Sequence, residues 1–95
     1  MAGNNIPQAS GRKNTGISCD FIFRGSLMSE SFLEFARHRA ARLDLALTIG
    51  ICDTQACMLT VRGPDALIDA FEMAVSLGPY DCIILDIERS DHPHG

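Results

Sequence analysis

Three serine hydroxyls, Ser26, Ser29 and Ser31, follow Gly25 closely, with Arg24 just before it and Glu30 among them. Hydroxyl and guanidinium donors around a glycine can hydrogen-bond an oxyanion. A serine nucleophile would also need a general base within hydrogen-bond reach. His38 is the only histidine between Ile17 and Arg89, and its helical position places it on an outer face. The hydroxyls therefore have no base, and no catalytic residue is assigned. Glu30 with Glu34, and Asp81 with Asp86 and Glu88, fit neither an acid–base pair nor a calcium loop by spacing and read as solvated faces.

The cysteines, Cys19, Cys52, Cys57 and Cys82, lie mostly in apolar segments without the regular spacing of a secreted disulfide framework. They are expected to be reduced packing residues. Cys52 and Cys57 flank a presumed turn in a spacing unlike common zinc motifs, and the histidines of Ser90–Gly95 belong to a polar end. The reading assigns no metal and no cofactor. Met28, Met58 and Met73 read as gap fillers.

Net charge is −4 over 95 residues, which leaves no broad basic field for neutralising phosphates, so nucleic acid is not an expected partner. No apolar run approaches the roughly 20 residues that cross a bilayer, and Met1–Gly16 lacks the apolar stretch of a secretion signal. A soluble, cytoplasmic protein is expected, with no membrane partner.

Residue patterning supplies the frame for the loop. Met1–Gly16 is polar and reads as a flexible tail, 17–89 as one domain and 90–95 as a second flexible tail. Ile17, Cys19, Phe21 and Phe23 alternate with Ser18, Asp20, Ile22 and Arg24, which predicts a strand with one buried face. Phe32, Phe35, Ala36, Ala40 and Leu43 then make a helical stripe over about Glu30–Leu43, with Ser29 placed to cap it. Leu45–Cys52 and Ala56–Arg62, separated by Asp53-Thr54-Gln55, predict a hairpin. Gly63-Pro64-Asp65 opens a second helix that ends near Leu77 at Gly78-Pro79, and Cys82–Ile87 is a fourth strand. The order βαββαβ implies an α+β, ferredoxin-like sandwich: a four-stranded antiparallel sheet with two helices on one face. Phe21 and Phe23 face the helices in this arrangement, and Ile22 and Arg24 face the open side.

The segment Gly25-Ser26-Leu27-Met28-Ser29-Glu30-Ser31-Phe32-Leu33-Glu34-Phe35 resembles the acylphosphatase signature, a glycine-rich phosphate loop entering a helix with an Arg just inside it. Continuing without a gap, Leu43 and Leu45 fall on the family's Leu-Gly-Leu helix end, and Gly63-Pro64 on its Gly-Pro. The resemblance covers Ile17 to Arg89. It implies that an Arg and the loop amides hold phosphate while an Asn on the second strand positions the attacking water, as the reaction's charge demands. Here the Arg position is Leu33 and the Asn position is Ile51, and neither aliphatic chain can do this. Ser29 and Ser31 replace loop glycines, and Glu30 adds a carboxylate where an anion would sit.

A non-catalytic acylphosphatase-like binding or accessory domain is therefore expected, acting on a protein partner or on itself as a homo-oligomer. Leu33 and Ile51 are expected to line an apolar former site, with Ser26, Ser29, Ser31 and Arg24 beside it. Two rival readings stand: a divergent acylphosphatase hydrolysing carboxyl-phosphate bonds, and a small-ligand-sensing ferredoxin-like module.

Overall fold

A computed structural model describes residues 17–93; the expected tail at Met1–Gly16 and the last two residues lie outside them. The elements are β1 (Ile17–Ser26), α1 (Ser29–Arg42), β2 (Ala46–Cys52), β3 (Ala56–Gly63), α2 (Asp65–Leu77) and β4 (Ile83–Pro93). The sheet has the order β2-β3-β1-β4, with every neighbouring pair antiparallel. This is the expected ferredoxin-like arrangement.

The alternation in β1 explains why it is central. Cys19, Phe21 and Phe23 are buried on one face, against Phe32, Ala36 and Ala40 of α1 and Ile68, Phe71 and Val75 of α2. Phe23 meets Phe32 at 5.4 Å between ring centroids and Phe21 meets Phe71 at 5.9 Å, so each helix is anchored to β1 by one aromatic pair. Such tilted pairs add to the area each ring removes from water. On the other face Asp20 accepts a hydrogen bond from the Thr60 hydroxyl at 2.7 Å, and Arg24 pairs with Glu88. No helix of the described residues is long and apolar enough to cross a membrane.

Three details differ from the sequence reading. Ser29 is not the cap of α1; it is the first helical residue, and Met28 holds the cap position with no side-chain capping bond. Met28 is extended, its N–H reaches Cys82 Sγ at 3.3 Å, and its carbonyl accepts the Phe32 N–H at 2.8 Å. The backbone is thus fixed one residue earlier than the serine pattern suggests. β4 also runs on to Pro93, because Ser90, Asp91, His92 and Pro93 pair with Asp20, Cys19, Ser18 and Ile17 of β1. Polarity there reflects an outer strand, with His92 Nε2 3.1 Å from Asp20 Oδ2.

The third difference concerns cysteine chemistry. Cys52 and Cys57 form a disulfide, while Cys19 and Cys82 are free and buried. Asp53 makes the pairing possible: its Oδ1 accepts the N–H groups of Gln55 and Ala56 at 2.8 and 2.9 Å, closing a tight turn that sets Cys52 opposite Cys57. The expectation of four reduced thiols fails at this hairpin.

The bridge closes a loop with a sequence separation of only 5, so its effect on the unfolded chain is at the small end, about 2 kcal/mol. Urea unfolding of Cys52→Ser/Cys57→Ser should show a loss of that size relative to the oxidised protein. Thiol titration in denaturant should find the two free cysteines, Cys19 and Cys82, before reduction and all four cysteines of the chain after it.

Candidate functional site

The loop Gly25–Met28 lies where β1 ends and α1 begins, beside the β2–β3 turn and the start of β4. Gly25 is placed by its lack of a side chain: a Cβ there would overlap the carbonyl oxygen of Ile83. That contact accompanies an irregularity in the β1–β4 pairing, where Arg24 faces Asp86 but Gly25 faces Ile84. The Gly25 N–H donates to Gln55 O at 3.0 Å and the Leu27 N–H to Thr54 O at 2.9 Å. The Leu27 side chain is buried in the core, and the Met28 N–H is directed at Cys82. Three loop amides are therefore consumed by the fold. The first-turn amides of Ser29, Glu30 and Ser31 precede the first helical bond, and one of these three residues, Glu30, is acidic.

The remaining candidates are dispersed. Ser26 is exposed and Ser29 half-buried. The Ser31 hydroxyl donates to Asp81 Oδ1 at 2.9 Å, so it is engaged by a carboxylate. Arg24 projects from the open sheet face, where it pairs with Glu88 and lies 3.6 Å from Asp86. Leu33 is half-buried against the core and lines a shallow depression with Glu30, Glu34, Arg37 and His38. Ile51 is not part of that depression. It is 74% exposed, at the end of β2 where the register with β3 slips between Ile49 and Cys52.

Electrostatics at this end of the sheet oppose an anion. Glu30, Asp53 and Asp81 supply negative charge there, and hydrogen bonds from Gln55 and Ala56 hold the Asp53 carboxyl below the usual range. The cations of the described residues are six arginines. Arg37, Arg39 and Arg42 lie in the second half of α1, and Arg62 lies near the far end of β3. Arg89 is held by Asp69 and Glu72 of α2 and by Asp91, at 2.7 to 2.8 Å. Only Arg24 is near the loop end, and two carboxylates engage it.

Two features escaped the sequence reading. One is the Arg89 cluster, which also takes in Cys19: its thiol donates to Asp91 Oδ1 at 3.0 Å, and burial first, then that bond, pushes its pKa up to about 12. Its members span Cys19 to Asp91, so no local spacing reveals them. The other is a set of exposed apolar side chains at the loop end, Met28, Ile51, Tyr80 and Ile83, with Leu85 next along β4. Strand periodicity alone counts Ile51 and Ile83 as ordinary strand residues.

No family model matches the sequence, and no curated protein matches it significantly. Solved structures match the fold. An acylphosphatase from Bacillus subtilis superposes with a TM-score of 0.74 at 21% identity, over 80% of this chain and 84% of that one. An acylphosphatase from Coxiella burnetii gives 0.70 at 17% identity, over 81% and 82%. Full-length HypF in its phosphate- and nucleotide-bound form gives 0.66 at 18%, over 94% of this chain but 11% of that protein. The chain is an acylphosphatase-like domain in fold, as its framework residues imply.

Gly25→Ala should lower stability by about 2–3 kcal/mol, because Ile83 must move to admit the methyl group; urea denaturation measures it. Asp53 also predicts a pH effect. Its folded pKa is depressed, so its contribution is present above the unfolded value and is lost as pH falls through the folded one. As pH falls below about 4, the wild-type urea midpoint should fall more steeply than that of Asp53→Asn, which keeps the acceptor but does not titrate.

Proposed function

We propose that this chain is a non-catalytic acylphosphatase-like domain that associates with a protein partner through the loop end of its sheet. One observation carries this reading: the loop that would have to cradle a phosphoryl group is surrounded by Met28, Ile51, Tyr80 and Ile83, all more than half exposed, and has no uncommitted cation among the described residues. Exposed apolar groups clustered at one end of a small domain are a signature of association. Phosphoryl transfer needs the opposite environment, with cations and donors aimed at the equatorial oxygens and a fixed in-line water. The match to a small part of full-length HypF supports the accessory role, since there the same fold is one portion of a longer protein.

The pure protein should hydrolyse acetyl phosphate no faster than buffer does. Ile51→Asp/Ile83→Asp should fold as the wild type does but lose proteins that the wild type captures from its host. Hydrolysis well above buffer, abolished by a loop substitution such as Ser29→Asp, would instead establish a divergent acylphosphatase.

A further inference from the structure

The two outer strands of the sheet differ in a way the fold does not require. β4 carries Asp86, Glu88, Arg89, Asp91 and His92 along its length, the kind of charged edge that discourages pairing with another strand. β2, Ala46-Leu47-Thr48-Ile49-Gly50-Ile51-Cys52, has no charged residue and no proline in 7 residues. Its inner side pairs with β3, and its outer side has no strand beside it among the described residues.

Helix α1 adds a second, independent feature on the same side of the molecule. One flank of α1 forms a groove with α2 through Phe35 and Arg39. The opposite flank carries Glu30, Leu33, Glu34 and Arg37, with its acids in the first half of the helix and its base in the second. Such a flank opposes like charge to a parallel copy of itself and opposite charge to an antiparallel copy.

We propose that the β2 edge pairs with β2 of a second copy of this chain, antiparallel about an axis near Ile49, joining two sheets into one of eight strands. A twofold axis normal to the sheet makes such an interface isologous. It also reverses α1 relative to its copy, bringing Glu34 of each protomer toward Arg37 of the other. Along the strands no charge faces a charge, and outward amides and carbonyls of β2 gain partners on either side of the irregularity between Ile49 and Cys52. This choice of occupant rests on charge: the arrangement that satisfies the uncharged edge also satisfies the segregated helix flank. The inference shares Ile51 with the loop-end surface proposed above, so the variants that test it leave Ile51 unchanged.

Sedimentation velocity of the full chain across a concentration series tests it. A dimer is expected at about 100 µM protein. Thr48 is exposed and faces Thr60 on the open side of the sheet, so Thr48→Lys should leave the circular dichroism spectrum unchanged while weakening the dimer at least about tenfold. Arg37→Glu, on an exposed helix position, should also weaken it, and Glu34→Arg/Arg37→Glu should restore it. A monomeric wild type at that concentration overturns the proposal, as does a dimer that neither Thr48→Lys nor Arg37→Glu weakens.

Discussion

The docking of the β2–β3 turn onto the chain between β1 and α1 is the constraint on which the loop end depends. Two backbone bonds make it, Gly25 N–H to Gln55 O and Leu27 N–H to Thr54 O, and the burial of Leu27 locks it. Asp53 shapes the turn that offers those carbonyls, and the Cys52–Cys57 bridge ties its base. Because buried amides must find acceptors, the loop spends its donors on its own hairpin. What remains at the helix start is a first turn containing a carboxylate.

This arrangement separates scaffold from chemistry. The scaffold needs Gly25 for clearance, Leu27 for the core and the paired aromatics beneath β1; none of these depends on binding a phosphate. At the two positions where the acylphosphatase resemblance would place catalytic side chains, this chain holds Leu33, packed against the core, and Ile51, turned to solvent. Neither interferes with folding. A fold of this kind does not fix its chemistry, and solvent-facing apolar groups are a prominent feature of that surface.

Much of the fold is legible in sequence because its determinants are local. Period two in β1, helical stripes after it, and the breaks at Gly63-Pro64 and Gly78-Pro79 fix the order of elements, and Gly78 has a positive φ of 65° that suits glycine. The misreadings all involve partners remote in sequence or choices that spacing leaves open. Ser29 has the chemistry of a cap, but Cys82 fixes Met28 and moves the helix start. Ser90–Pro93 is polar enough to be a tail, yet β1 supplies its pairing partners. Cysteines five apart across a turn suit a bridge or two packed thiols equally, and the Asp53 turn decides between them. The loop end was legible as missing groups and as an apolar site expected at Leu33 and Ile51; that Leu33 lines a different depression from Ile51 needed the elements to be assembled before it could be seen.

The central claim is that the loop end does not hold a phosphoryl group. Titrating inorganic phosphate to about 10 mM, well beyond a millimolar dissociation constant, while recording backbone amide NMR shifts tests it most directly. The account predicts no saturable shift at Ser29, Glu30 and Ser31. A saturable shift confined to those three amides would contradict it.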